Sequence, residues 1–226
     1  MADVFYIYPN NEKKLTLVWT PKAGSNTALR TFFDYVGFKF EPDVKIHEIR
    51  DEYRKGTNDE LYTKIQFCRN PYSRIVSGYL QGLKNDFQDI RTSKRSFFDF
   101  LKKVQGHNPD NFDSHTKRQY NIDVDYLIRL ENIEDDLQKL KEETGIDLKL
   151  NSYEYHSYRK LFAGIDNKIK VNPYEFSNEL ACTVAYVDCD TKVSVEYSDF
   201  FNDEIKNMVS DLFKKDLEYF GYDYPY

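Results

Sequence analysis

Short apolar segments rich in β-branched residues alternate along this chain with longer segments whose apolar residues recur at helical spacing. The short segments predict buried strands, at Leu15–Thr20, Lys64–Cys68 and Tyr126–Leu130. The longer ones predict helices, at Ala28–Val36, from Pro71 onward, at Phe97–Val104 and at Ile133–Glu143. Strands that alternate with helices build a mostly parallel sheet covered on both faces. The order of elements therefore predicts an α/β fold.

The last third of the chain carries two further patterns. Val184–Val187 and Val193–Tyr197 flank a polar connection and predict a β-hairpin. Asp199–Phe220 shows a helical apolar stripe, and Gly221 is expected to end that helix. The 226 residues contain no repeat and no Pro/Gly-rich linker, so a single domain over residues 1–226 is predicted.

Composition limits the partners and the compartment. A formal net charge of -6 favours neither nucleic acid nor an anionic membrane as a partner. Met1–Tyr6 has no basic leader, and no segment reaches the ~20 apolar residues of a membrane span. These features predict a cytoplasmic protein. The three cysteines, Cys68, Cys182 and Cys189, lack metal-ligand spacing and are expected to be buried free thiols, with a Cys182–Cys189 pair across the hairpin as the alternative.

The segment between the first predicted strand and its helix can bind an anion. Gly24 allows close approach of the backbone, Ser25 and Thr27 supply hydroxyls, and Lys22 supplies a positive charge. The alternative is a helix capped by Ser25 or Asn26 after a proline turn. The pattern GxxxxGK[ST] of a Walker A loop is absent.

A second segment, Phe67–Tyr79, begins where the second predicted strand ends. Arg69 lies at that end, the edge at which open α/β sheets bind ligands. Ser73 and Ser77 are four residues apart and share one face of the following helix. Arg69 with Ser77 could hold a phosphate by charge-assisted hydrogen bonds. The alternative is a surface arginine beside two incidental serines.

Together the two segments resemble those of sulfotransferases that use 3′-phosphoadenosine-5′-phosphosulfate (PAPS). PKAGSNT is similar to their 5′-phosphosulfate loop, and RNPYSRIVSGY is similar to their 3′-phosphate motif, in the form found in the carbohydrate (family 2-like) branch. The likeness covers about residues 15–150 and 195–222 and leaves Lys168–Lys192 unassigned. It implies a P-loop-type three-layer sandwich. Its implied nucleotide-binding residues are Lys22, Ala23, Gly24, Ser25, Asn26, Thr27, Arg69 and Ser77.

The resemblance also implies the chemistry. A sulfuryl group would pass from PAPS to an acceptor hydroxyl, on a carbohydrate by analogy, leaving 3′,5′-ADP, with no metal required. Lys22 is expected to stabilise charge on the leaving oxygen. His47 is the expected general base because family order places a histidine between the two motifs. Glu48 and His115 are its competitors, and either could contact the acceptor instead.

Two other functions remain open at this stage. One is a kinase of the same superfold, which would normally have a Walker A loop; the other is a non-catalytic nucleotide-binding domain. Sugar, polysaccharide, small metabolite and protein tyrosine all remain possible acceptors, and the oligomeric state is open.

Overall fold

The structure, a computed structural model, describes residues 6–10, 14–37, 62–88, 95–109, 115–120, 122–150, 162–186 and 192–226. The strands in these ranges are β1 (Tyr6–Asn10), β2 (Leu15–Trp19), β3 (Thr63–Cys68) and β4 (Tyr126–Arg129). The helices are α1 (Ser25–Tyr35), α2 (Pro71–Gln88), α3 (Phe97–His107), α4 (Ile133–Thr144), α5 (Asn178–Ala185), α6 (Asp203–Leu212) and α7 (Lys214–Phe220).

The four strands form one sheet in the order β1-β2-β3-β4. β2, β3 and β4 run parallel, whereas β1 is an antiparallel edge strand. Leu15 and Leu17 lie on one face of β2 and Thr16 and Val18 on the other, and all four are buried. Burial on both faces is typical of the parallel sheet of an α/β protein. The predicted α/β sandwich with a mostly parallel sheet is therefore confirmed.

Contacts divide the chain into two compact units, each with its own core. The first unit comprises residues 1–70 and 118–155 and contains the whole sheet. Its core joins alternate residues of β2, β3 and β4 to the apolar faces of α1 and α4. The fully buried members of this core are Leu15, Leu17, Trp19, Ala28, Leu29, Ile65, Phe67, Ile128 and Leu140. The single domain over residues 1–226 stays a prediction.

The second unit comprises residues 71–117 and 156–226 and is helical in its described parts. An aromatic cluster lies at the centre of its core. Tyr79 of α2 meets Phe97 of α3 edge to face at 5.2 Å between ring centroids, and Phe97 meets Phe200 at the same distance. Edge-to-face contacts of this kind add to the free energy gained by burying the rings.

The predicted hairpin is wrong. Val184 belongs to α5, whose N-terminus is capped by Ser177: its side chain accepts a hydrogen bond from Leu180 N–H at 3.2 Å. The segment Leu180–Ala185 is buried on all sides. A helix buried all round shows no polar face, so its short apolar run could not be distinguished from a strand by periodicity.

Two other elements differ from expectation. The C-terminal helical stripe is two helices, α6 and α7, with a break at Phe213, and Gly221 ends the second with a φ of 67°. β1 was not predicted, although it pairs with β2 along its length. Pro9 lies within β1, and an edge strand is where proline is tolerated because only one side needs donors.

Candidate functional site

The connection from β2 to α1 begins with a tight turn. Ala23 N–H donates to Thr20 C=O at 3.2 Å, so Pro21 and Lys22 are the two central residues of this turn. Lys22 has a φ of 65°. A positive φ after proline is usually supplied by glycine or asparagine. A lysine held there is a strained conformation of the kind found at binding and catalytic sites.

Gly24 completes the connection as the N-terminal cap of α1, with φ 72° and ψ 36°. A Cβ at this position would lie 2.5 and 2.8 Å from the two methyl carbons of Leu130, which follows β4. Gly24 is therefore needed both for its backbone conformation and for the close approach of Leu130.

The N-terminus of α1 has no side-chain cap, because its cap residue is glycine. The first helical hydrogen bond joins Ala28 N–H to Gly24 C=O at 2.8 Å. The N–H groups of residues 25–27 therefore have no acceptor within the helix. Ser25 and Asn26 lie inside α1, so the alternative that one of them caps the helix is wrong.

Thr20, the residue between β2 and the turn, is fully buried. Its hydroxyl Oγ1 has no hydrogen-bond partner among the described residues. A buried polar atom without a partner is rare in proteins and calls for an explanation, such as a ligand or an ion. The same connection also contains the α1 amides and the Lys22 charge, and groups of these kinds suit an anion.

Arg69 lies just beyond the C-terminal end of β3. One of its guanidinium nitrogens, Nη1, donates to the carbonyl oxygen of Lys22 at 3.5 Å. Its main chain is bound on both sides by the fully buried side chain of Gln119. The next amide, Asn70 N–H, donates to Glu131 Oε1 at 3.0 Å. The structure thus brings Arg69 to the Lys22 turn and fixes the backbone at residues 69 and 70.

The end of β4 is tied to the start of α4 by an ion pair. Asp136 accepts from Arg129 N–H at 2.8 Å, from Nε at 3.0 Å and from Nη2 at 2.8 Å. Burial raises the pKa of the Asp136 carboxyl, but the hydrogen bonds and positive charge of Arg129, with the charge of Lys139, together lower that pKa by more, so it lies below its ordinary value. Arg129 therefore has a structural role, with Asp136 as its partner.

Ser77 lies on α2 in the second unit, where it is buried. Ser73, one turn earlier, is hydrogen-bonded to Tyr226, with 2.8 Å between Oγ and Oη. His115 is half-buried and lies beside the next residue of α2: a Cβ on Gly78 would be 3.4 Å from the His115 carbonyl oxygen. Among the predicted site residues, His115 thus lies close to the Ser77 part of α2.

Some of the predicted site residues lie close together in the structure, and others lie outside the described residues. Lys22, Gly24 and Arg69 lie at the carboxyl ends of β2 and β3 in the first unit, joined to residues 130 and 131 beyond β4. His47 and Glu48 lie outside the described residues, as does Cys189, so their roles stay predictions. Cys68 and Cys182 are both buried, as expected, and the choice between free thiols and a Cys182–Cys189 pair stays a prediction.

Sequence reasoning missed Gln119 as part of the site. No local pattern marks a glutamine that binds a backbone 50 residues away. The positive φ of Lys22 was not predicted either. Pro21 indicated a turn, but lysine rarely adopts the left-handed conformation, so its presence does not predict one.

Neither a membrane-spanning helix nor a cluster of metal ligands occurs in the described residues. No described helix is long and apolar enough to cross a membrane. Within the same ranges, no three or more His, Cys, Asp or Glu side chains are grouped so that they could hold a metal ion.

These features define a class: an α/β protein whose first parallel strand leads through a strained, glycine-containing turn into an uncapped helix. Comparison with known sequences identifies the family. The sequence profile of the sulfotransferase family matches residues 7–223, and the chain belongs to that family. A relative from Archaeoglobus fulgidus, described only as an uncharacterized protein, is 30% identical over 106 residues, covering 44% of this chain and 85% of the relative. No solved structure matches the chain significantly.

Proposed function

We propose that this protein transfers a sulfuryl group from PAPS to a hydroxyl of a carbohydrate acceptor, releasing 3′,5′-ADP. Membership of the sulfotransferase family supports sulfuryl transfer in general. The observation that carries the choice of donor is the turn between β2 and α1. There the strained Lys22, an uncapped helix N-terminus and the buried Thr20 hydroxyl favour an anionic group.

PAPS has two anionic ends, and the proposal gives each end its own residues. Lys22, Ala23, Gly24, Ser25, Asn26 and Thr27 would bind the 5′-phosphosulfate, mainly through backbone N–H groups. Arg69 and Ser77 would bind the 3′-phosphate, as the resemblance of RNPYSRIVSGY to a 3′-phosphate motif implies. The contact of Arg69 with the Lys22 carbonyl supports a shared role for the turn and the end of β3.

The reaction exchanges one sulfur–oxygen bond for another. The acceptor oxygen forms a bond to sulfur while the bond from sulfur to the 5′-phosphate oxygen breaks, and the acceptor proton passes to a base. Lys22 would stabilise the negative charge that develops on the leaving oxygen. We propose His47 as the base because a neutral imidazole suits proton abstraction near pH 7, with Glu48 and His115 as the next candidates. No step of this scheme needs a metal.

The direct test is transfer of label from PAPS to a panel of sugars and glycans, with EDTA present and products identified by mass spectrometry. We expect a mass gain corresponding to one sulfate on a carbohydrate. Transfer to tyrosine peptides or small phenols instead would correct the acceptor and leave the donor in place. Phosphoryl transfer from ATP that requires Mg²⁺ would identify a kinase. Tight binding of 3′,5′-ADP without any turnover would identify a nucleotide-binding domain.

Lys22→Ala provides a second test, directed at the transition state. Because the proposed charge develops during the reaction, turnover should fall by roughly 10²–10³-fold, the usual cost of losing one group that stabilises such charge. The affinity for 3′,5′-ADP should change much less. Lys139→Ala, which removes an exposed lysine of α4, is the matched control and should leave turnover unchanged. Turnover of Lys22→Ala within a few-fold of wild type would limit Lys22 to binding.

A further inference from the structure

The side-chain amide of Gln119 makes two hydrogen bonds to the main chain of Arg69. Its Oε1 accepts from Arg69 N–H at 2.8 Å, and its Nε2 donates to Arg69 C=O at 2.7 Å. Two antiparallel strand residues make this same exchange when they pair. Arg69 directly follows Cys68, the last residue of β3 that pairs with β4. Gln119 therefore supplies, from a side chain, the two hydrogen bonds that a paired antiparallel strand residue would give to Arg69.

Gln119 is itself held by β3. Its main-chain carbonyl accepts from Nε2 of Gln66 at 2.9 Å, and both residues are fully buried. Gln66 of β3 thus binds Gln119, and Gln119 binds Arg69, which lies three residues after Gln66 and just beyond the end of β3. Glu131 then accepts from Asn70 N–H, so the next peptide group is bound as well.

The chemistry of the amide suits this position. Arg69 presents one N–H donor and one C=O acceptor, and a primary amide offers one acceptor and one donor on the same rigid plane. A carboxylate of the same shape accepts but cannot donate. It would place negative charge beside the Arg69 carbonyl oxygen, and that part-buried carbonyl would lose its donor.

We propose that Gln119 is a positioning residue that sets the direction of the Arg69 side chain and thereby the recognition of the 3′-phosphate. A side chain leaves the backbone in a direction fixed by its own peptide groups, and Gln119, itself fully buried, binds the N–H and the C=O of Arg69. This inference rests on the proposed function, because it takes the 3′-phosphate as the group that Arg69 binds.

The test compares the affinities for 3′,5′-ADP and 5′-AMP by calorimetry in wild type, Arg69→Ala, Gln119→Glu and Gln119→Met. In both Gln119 variants we expect the affinity for 3′,5′-ADP to fall by at least tenfold and that for 5′-AMP by less than threefold. Gln105→Glu, an exposed change of the same charge on α3, is the control and should bind like wild type. Equal losses for both nucleotides would assign Gln119 a general structural role and overturn the inference, as would unchanged affinities.

The comparison of wild type with the variants distinguishes failure of this inference from failure of the proposed function. A wild-type protein that binds both nucleotides equally would remove the 3′-phosphate role of Arg69 and with it the basis for Gln119. Selectivity that is lost in Arg69→Ala but kept in Gln119→Glu would overturn the positioning role alone. A crystal structure of the wild-type protein with 3′,5′-ADP tests the same point without a variant. Both Gln119 hydrogen bonds should persist while the guanidinium contacts the 3′-phosphate, and a Gln119 amide turned away from Arg69 would refute the inference.

Discussion

Gly24 meets two constraints that can be separated by experiment. Its φ of 72° lies in the left-handed region, and Leu130 occupies the space that a Cβ would need. Gly145 at the end of α4 has nearly the same φ, 74°, but nothing lies within 4 Å of a Cβ built there. The two glycines therefore share the backbone requirement and differ in the packing requirement.

Gly24→Ala should destabilise the protein more than Gly145→Ala. The left-handed conformation costs about 1–2 kcal/mol at either position. The overlap with Leu130 adds about 1–3 kcal/mol at Gly24 alone. The free energy of unfolding, measured by urea titration, should show this difference, and Leu130→Ala combined with Gly24→Ala should recover part of it. Equal losses at the two glycines would mean that Leu130 moves aside at little cost.

For individual residues, the sequence indicated which side chains occupy the connections between strands and helices, but not their backbone conformations or hydrogen bonds. Lys22, Gly24 and Arg69 were predicted as site residues because each belongs to a segment that joins a strand to a helix, and their roles stay predictions. The hydrogen bonds of Gln119 could not be predicted, because they join residues distant in the sequence, and the left-handed conformation of Lys22 could not be predicted because lysine rarely adopts it. His47 and Glu48 stay predictions that rest on family order.

Among the elements, the turn after β4 supports the two segments that carry the proposed chemistry. Arg129 pairs with Asp136, Leu130 packs on Gly24, and Glu131 accepts the Asn70 amide. Three consecutive residues therefore link the ends of β2, β3 and β4 to α4. Because Arg129 directly precedes Leu130 and Glu131, we expect its ion pair with Asp136 to hold these two residues in position.

The free energy of unfolding should depend on pH through Asp136. Because hydrogen bonds from Arg129 hold its pKa below the ordinary value, the carboxylate stabilises the fold above that value, and this contribution is lost as the pH falls through the lowered pKa. Asp136→Asn should therefore cost about 1–2 kcal/mol at pH 7, an amount limited by the partial exposure of Arg129. The cost should shrink as the pH is lowered from about 5 toward 3.

Asp135→Asn is the matched control for that measurement. Asp135 lies in the same first turn of α4 and is exposed, so both variants remove one negative charge near the helix N-terminus. Urea titrations at several pH values should show the larger loss and the steeper pH dependence for Asp136→Asn. The same small loss for both variants at every pH would contradict a structural role for the ion pair.

The elements themselves followed from periodicity wherever the pattern was long or amphipathic. The three parallel strands and the helices α1 to α4 lie where the sequence predicted them, to within three residues at each end that was assigned. α5 was taken for a strand because burial on all sides removed its polar face. β1 was not predicted, because the pairing with β2 that stabilises it cannot be inferred from its own five residues.

For the molecule as a whole, one tryptophan reports on the unit that contains the candidate anion site. Trp19 is the sole tryptophan of the chain and ends β2, directly before the turn. Its ring is buried in the core of the first unit together with Leu29 and Phe32 of α1. A change in its emission on heating therefore follows the unfolding of that core.

The melting of the wild-type protein, followed by Trp19 emission, should respond to the 3′-phosphate of an added nucleotide. A ligand that binds only the folded state at 100 times its Kd stabilises that state by about 2.7 kcal/mol, which should raise the Tm of a chain of this size by about 5–10 °C. 3′,5′-ADP should reach this shift, whereas 5′-AMP at the same concentration should give a smaller one because it lacks the group assigned to Arg69 and Ser77. In Arg69→Ala the two shifts should become similar. Equal shifts in the wild-type protein would show that the 3′-phosphate is not recognised and would remove the donor proposed here, while family membership and the α/β fold would stand.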